Sequence, residues 1–578
     1  MPSKITYDVL EAQQYCRLKA HRRLRGDIGT KSDFEKIVLD THQEIRAKAV
    51  TKIRRQHGED ELETGVQLSV AVLRRGTPFI LNGRIEDDRH SIQFDGLKKV
   101  DGHSILGDFH NEPVMFSQAP RARKSERQLL AMFAILLSRI QGSVPTSGLL
   151  YLGRDCAMTR IRIGVTARVA EALLRDAERL QRDDTPPKLL LNDHCGICEY
   201  RDRCHAQAVA EDHLSLLPNL GEKAIKRYQR KGLLTLTQLA HTFRPRRRGK
   251  RSDKPLRVRD HALHALAIRD KTMYVLGKPE LPTALTRIYL DVEGNPEEGY
   301  NYLIGVVVCE GERVDHHSFW VDDRAHEQAI FNQFLDLVSR YDAPRVYCYG
   351  SYEKTFIARM RRNTSRRKLV DGLLSQLTNV LTIVYSHFYF PTYSNGLKEV
   401  GSCLGCNWSE RGASGILSIA WRMQWERTGD ESFKAKLIQY NSEDCQALLK
   451  VTEFLRDASV DGSARDVGLM LRVANVADLD NLSRTVKWSK FAHSDFDFIN
   501  KRAYFDYQRT RVFVRTRPPE RRRTKNAGTR TWKNRKIRPT HHVEITASKC
   551  PSCKTWDIVV IPPKQRVEER SDQAKESV

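Results

Sequence analysis

Asp291 and Glu293 stand two residues apart in RIYLDVEGNPEEGYNYLIGV, an otherwise apolar, β-branched run. Residues i and i+2 of a strand share a face, so both carboxylates emerge side by side. Like charges that close are costly unless a cation lies between them, and the pair therefore predicts a metal-ion site. Paired ions that hydrolyse a phosphodiester sit about 3.5–4 Å apart and need several converging carboxylates. Hard oxygen ligands suit Mg²⁺ or Mn²⁺. Asp444 in YNSEDCQALL offers a third, with Tyr440 one helical turn before it; on a helix, i and i+4 share a face. Glu353 follows the apolar run VYCYG and offers a fourth.

A second set of candidate ligands is sulfur. Cys195, Cys198 and Cys204 have C-x-x-C-x-x-x-x-x-C spacing, one thiolate short of a closed tetrahedral site. Cys16 is the candidate fourth ligand, with His194 or His205 as alternatives, and spacing alone does not choose between zinc and an iron–sulfur cluster. Near the end of the chain Cys550 and Cys553 form a zinc-knuckle half-site. Candidate partners for it are His541, His542 or the Cys403/Cys406 pair.

These residues need elements to hold them. Strand-like pieces (TPFILNGRI, EPVMFS) precede the amphipathic helical patterns ERQLLAMFAILLSRIQG and VTARVAEALLRDAERLQRD. LPNLGEKAIKRYQRKGLLTLTQLA reads as two short helices around a glycine turn, followed by the basic linker FRPRRRGKRSDKP. From about residue 286 strands alternate with helical patterns, which predicts an α/β domain. The domains expected are 1–210, 211–243, a linker 244–285, 286–458 and a basic tail 459–578. Between Arg509 and Arg538 the tail carries thirteen Lys/Arg against the single acid Glu520.

Composition narrows the class. A chain of 578 residues with 40% hydrophobic residues holds several cores, and a formal charge of +25 points to a polyanionic partner. No apolar run of spanning length argues for a membrane. The N-terminus has no apolar secretory core, and twelve cysteines then suit metal ligation in a reducing compartment, so a cytoplasmic location is expected.

The combination D-x-E, a strand-end acid and Y-x-x-x-D resembles the DEDD exonucleases of the ribonuclease H-like fold. The resemblance implies four metal-holding carboxylates, Asp291, Glu293, Glu353 and Asp444, with Tyr440 positioning the attacking water. Glu353 stands where that family has aspartate. SNGLKEVGSCLG resembles the helix these enzymes use near the substrate, with Lys398 available to a phosphate.

The cysteine arrangement resembles the iron–sulfur nucleases of the RecB-like, Cas4-like and AddB-like group. In these an N-terminal cysteine and a C-terminal trio close one [4Fe–4S] cluster, here Cys16 with Cys195, Cys198 and Cys204. The resemblance implies a restriction-endonuclease-like (PD-(D/E)xK) domain whose second nuclease site would use His42, Asp95, Glu112 and Gln128. The family's lysine is missing: Val114 stands two after Glu112, which marks the site as degenerate. As a whole, FRPRRR, YLDVEG, YLIGV, YGSYE, FPTYSNGLK and YNSEDC make the chain similar to RecB-like nucleases with a YprB-type domain. Many relatives continue into a helicase motor; the chain has no G-x-x-x-x-G-K-[ST] loop, so a helicase is expected as a separate partner.

LPNLGEKAIKRYQRKGLL also resembles a helix–hairpin–helix, which implies backbone N–H groups near Gly221 facing a phosphate. Arg246, Arg247 and Arg248 of the linker and Arg521, Arg522 and Arg523 of the tail are further phosphate-binding candidates. The function expected is a metal-dependent DNA nuclease, a 3′→5′ exonuclease in repair or mobile-element processing. A non-catalytic nucleic-acid scaffold and an RNA exonuclease are the alternatives.

Overall fold

Strand alternation in NEPVMFS sends Val114 and Phe116 to one face of a sheet and Met115 to the other. In the computed structural model both faces are covered. The structure describes residues 3–243, 259–460, 466–467, 471–479, 544–549 and 556–561, apart from 297, 411 and 413. The chain divides into two compact units. One comprises 1–208, 283–378 and 407–449, and the other 209–282, 379–406 and 450–578.

The first unit contains a small three-stranded sheet (Ile5–Thr6, His90–Gln93 and Arg84–Glu86) and two larger ones. Strands β1 (Leu62–Thr64), β2 (Phe79–Leu81), β3 (Gly96–Ser104), β4 (Gly107–Ser117), β5 (Ser147–Leu152) and β6 (Ala157–Arg162) lie side by side in chain order. The β3–β4 pair is antiparallel and β4–β5 parallel. Val114 and Phe116 pack against Ile45, Ala49 and Ile53 of the helix Asp33–Gln56. Met115 packs with Leu130 and Phe133 of the helix Lys124–Gln141 and Leu174 of the helix Ala167–Arg182. Glycine 142, in the left-handed conformation (φ 71°), ends the first of those two helices.

The second sheet comprises β7 (Thr286–Asn295), β8 (Tyr300–Glu310), β9 (Arg313–Trp320), β10 (Arg345–Cys348) and β11 (Leu377–Asn379), in the order β9-β8-β7-β10-β11. The β7–β8 and β8–β9 pairs are antiparallel, and β7–β10 is parallel. Strand β7 is central and covered on both faces, which explains why its sequence is a nearly continuous apolar run. Its register shifts between Glu293 and Gly294, a bulge of the kind that re-aims side chains beside functional sites.

Two helices complete this region, Gly415–Thr428 and Glu431–Val460. The first is anchored by Arg422, 2% exposed, which donates to the carbonyls of Val321 and Asp322 at 2.7 and 2.6 Å. Its guanidinium lies over the rings of Tyr302, Trp320 and Trp425, a cation–π arrangement. At the end of the same helix Glu426 faces Arg154 at 3.4 Å, and Arg427 faces Asp40 and Glu44 at 3.8 and 3.9 Å. The helix thus also touches the N-terminal region.

In the second unit, helices Glu222–Arg230 and Leu236–Ala240 flank Gly232 (φ 82°), as the glycine-turn pattern predicts. Strand Thr272–Val275 pairs antiparallel with Phe388–Tyr389 and parallel with Leu471–Asn475. Beside it the wholly buried His264 has Nε2 2.9 Å from the Thr392 carbonyl, and its Nδ1 accepts from Arg259 Nε at 3.4 Å. Strands Glu544–Lys549 and Trp556–Ile561 form a hairpin. Arg246, Arg247, Arg248, Arg521, Arg522, Arg523, Cys550, Cys553, His541 and His542 lie outside the described residues.

Candidate metal centre

Strand β7 and the helix Glu431–Val460 come from distant segments of the sequence; the strand brings two carboxylates and the helix one to a single point. Ligand oxygens of Asp291, Glu293 and Asp444 all lie within 4.8 Å of one another, the one such acidic or thiol group among the described residues. Asp291 is half-buried; Glu293 and Asp444 are buried. Each carboxylate takes a neutral donor. Asn441 Nδ2 donates to Asp291 Oδ2 at 2.6 Å, Ser418 Oγ to Glu293 Oε2 at 2.6 Å, and Trp408 Nε1 to Asp444 Oδ1 at 2.7 Å.

The electrostatics follow from crowding in a desolvated place. Burial and the neighbouring charges of Asp444, Glu293 and Glu353 push Asp291 well above the ordinary carboxylate range, while the Asn441 hydrogen bond pulls the other way. Glu353, buried in the first turn of the helix Tyr352–Met360, is pushed up to about 7, chiefly by burial. Its Oε2 is buried without a hydrogen-bond partner. Glu353 therefore acts on Asp291 but stands outside the tight trio, as expected of a side chain one methylene longer than aspartate. Burial and the charges of Asp444, Glu293 and Asp291 raise the Tyr440 phenol, which is hydrogen-bonded to Asp444. It stays protonated at neutral pH.

These features fit a hard divalent cation: three converging carboxylates and an orphaned buried carboxylate oxygen beside them. Such a cation offsets the repulsion that raises Asp291. Asn441, Ser418 and Trp408 were not singled out from the sequence. Asn441 had a usable signal, since it lies three residues before Asp444 and shares its helix face. Trp408 and Ser418 reach the site only through tertiary packing.

Lys398 lies on the short helix Leu397–Cys403, which belongs to the other compact unit together with Cys403 and Cys406. Gly221 precedes the helix Glu222–Arg230 as its N-cap, in extended conformation.

The structure does not bring together the four residues expected of a second nuclease site. Gly96 pairs with Val114 and Lys98 with Glu112, so Asp95 lies at the Val114–Phe116 end of β4 and Glu112 farther along. Glu112 is bonded by Ser147 and lies 3.6 Å from Arg160. Asp95 accepts the Phe116 amide at 2.8 Å and is paired with Arg46. His42 Nε2 lies 3.3 Å from the Phe116 carbonyl, so His42 and Asp95 do meet there. Gln128 is half-buried on the helix Lys124–Gln141. The positions of β4 beside Asp95 hold Met115 and Ser117, and Ser117 is bonded to Glu126. Reading acid spacing along the sequence missed this because the strand register, set by the β3–β4 hairpin, decides which residue faces Asp95.

The cysteine sulfurs form no group as tight as the acidic one among the described residues, but they share a cavity. Cys16, Cys195, Cys198 and Cys204 line one cavity with Lys19 and His194. Burial raises Cys195, Cys198 and Cys204, the last to about 11, and the neighbouring thiols raise each further. Lys19 is only 7% exposed, and its Nζ lies 3.3 Å from His194 Nε2. Burial, followed by Lys19, pushes His194 down to about 4. Thiolates around a metal would compensate a buried cationic neighbour such as Lys19. His205 is exposed on the helix Arg201–Ala210.

The family model of the RNase_H superfamily matches residues 288–456, the segment that carries Asp291, Glu293, Glu353, Tyr440 and Asp444. This part of the chain is a ribonuclease H-like domain, and the match supports a nuclease. No curated protein matches the chain. Among the described residues no helix is long and apolar enough to cross a membrane.

Proposed function

We propose that the chain is a divalent-metal-dependent nuclease whose ribonuclease H-like domain removes nucleotides from DNA in the 3′→5′ direction. The observation that carries this reading is the convergence of Asp291, Glu293 and Asp444 within 4.8 Å inside the matched segment. Asp291, Glu293 and Asp444 would hold Mg²⁺ or Mn²⁺, with Glu353 completing the set. Bound there, such ions would activate water for attack on the phosphodiester and offset charge on the leaving oxygen. Tyr440 keeps its proton, which it donates in a hydrogen bond to Asp444, and its phenolic oxygen would orient the attacking water. Asn441, Ser418 and Trp408 hold the carboxylates in place.

The first test is Asp291→Ala with Asp444→Ala, assayed for Mg²⁺- or Mn²⁺-dependent nucleotide release from labelled single-stranded DNA, duplex DNA and RNA. Loss of release is expected, with DNA preferred; undiminished release overturns the assignment.

For the N-terminal region, the Arg46–Asp95 pair and the absence of an acid-x-lysine pair at Met115 and Ser117 favour a DNA-binding module over a second cutting site. Its four cysteines would hold a metal centre, a [4Fe–4S] cluster or zinc, for which the buried Lys19 speaks. A visible absorption spectrum of anaerobically purified protein, with metal analysis, separates cluster from zinc. The glycine-turn helices near Gly221, the Arg246–Arg248 and Arg521–Arg523 runs and Lys398 supply phosphate contacts. A separate helicase would deliver the unwound end.

A further inference from the structure

We propose that Asn441 is a positioning residue that fixes the rotamer of Asp291, and that Gly305 is the residue whose missing side chain admits it. The inference rests on the metal-dependent reading above and extends it to residues outside the carboxylate set.

Asn441 is wholly buried. Its Nδ2 donates to Asp291 Oδ2 at 2.6 Å and to the Asp291 main-chain oxygen at 3.2 Å. The amide nitrogen carries two hydrogens, so it can make both bonds at once. The flipped amide would set its oxygen against a carboxylate and a carbonyl, so the partners themselves dictate the orientation. Asn441 thus spans the backbone and the side chain of one residue. That leaves Asp291 Oδ1 outside this clamp and turns the carboxylate plane to a fixed angle.

Gly305 lies directly across the sheet from Asp291, in the β7–β8 register. A Cβ at 305 would stand 2.7 Å from Asn441 Cγ and would overlap Oδ1 outright. Gly305 is not among the residues of positive φ, so its backbone does not require glycine; the space does. Its strand neighbours in β8, from Tyr302 to Val308, are otherwise large or β-branched and buried. A glycine amid them costs strand stability. The compensating gain is the close approach of Asn441. Asn441 Oδ1 itself has no hydrogen-bond donor, which is consistent with a side chain held for what its nitrogen does.

The test measures Mn²⁺ binding to the full chain by calorimetry or electron paramagnetic resonance, beside the Mg²⁺ concentration giving half-maximal cleavage. Asn441→Ala is expected to weaken Mn²⁺ about 10- to 100-fold, the usual cost of losing a group that orients a ligand. Gly305→Ala should do the same and lower the melting temperature. The double variant Gly305→Ala/Asn441→Ala removes the clash: it should recover the melting temperature but keep the weak Mn²⁺ affinity of Asn441→Ala. Wild-type affinity in folded Asn441→Ala overturns the positioning role and leaves the nuclease reading standing. Wild-type protein with no Mn²⁺ binding that Asp291→Ala abolishes overturns both. Asn441→Ala empties space instead of crowding it, so the inference stays testable if Gly305→Ala does not fold.

Discussion

At the scale of the residue, the acidic site is a place where folding and chemistry oppose each other. A carboxyl whose folded-state pKa is raised reduces stability at neutral pH, and that penalty vanishes as pH falls and the group protonates. Burial and three neighbouring carboxylates do this to Asp291. Asp291→Asn should therefore raise the melting temperature of the metal-free chain by a few degrees, on the order of 1 kcal/mol, while eliminating Mn²⁺ binding. Calorimetric melts with and without Mn²⁺ check both halves. Asp291 with Glu293, and Tyr440 with Asp444, were legible as pairs because a strand has period two and a helix returns after four residues; the resemblance to the exonuclease motifs joined the two pairs. Their donors Ser418 and Trp408 were not, since neither period links them to the carboxylates they serve. Glu112 illustrates the opposite failure. Its spacing from Asp95 looked catalytic, but hairpin pairing places it opposite Lys98.

At the scale of the element, the runs RIYLDVEG, NYLIGVVVCE and PRVYC become the three adjacent strands β7, β8 and β10. The helix that contains YNSEDCQALLKVTEFLRD begins earlier than its amphipathic signal, at Glu431, and runs to Val460. The helix His261–Asp270 carries a prediction of its own. His264 accepts from Arg259 at Nδ1, and its Nε2 is within bonding distance of the Thr392 carbonyl, a pairing that only the neutral ring satisfies. Burial, then Arg259, pushes its pKa down to about 3. With an unfolded value near 6.5, its stabilising contribution is complete above about pH 6.5 and is lost progressively as pH falls toward 3. The slope is about 1.4 kcal/mol per pH unit. Urea unfolding between pH 7 and pH 4 should show this loss in the wild type and a shallower one in His264→Phe.

At the scale of the whole molecule, the formal charge of +25 should make nucleic-acid binding steeply salt-dependent. Affinity for a DNA end should fall at least tenfold between 50 and 200 mM salt, on the order expected when several phosphate contacts release counterions. Fluorescence anisotropy at graded salt measures it, and a flat response would contradict an electrostatic grip. The helix Gly415–Thr428 adds a constraint that sheet topology alone would not suggest. Ser418 near its start holds Glu293, and Glu426 and Arg427 at its end face Arg154, Asp40 and Glu44. Exposed ion pairs of this kind are individually weak, yet they bear on a helix that the buried Arg422 ties to the carbonyls of Val321 and Asp322. Cutting the chain back to residues 283–460 would therefore release one end of the lever that aims Glu293. On the metal-dependent reading proposed above, the shortened chain should need more Mg²⁺ to reach its top speed, even though Asp291, Glu293, Glu353 and Asp444 are all still present.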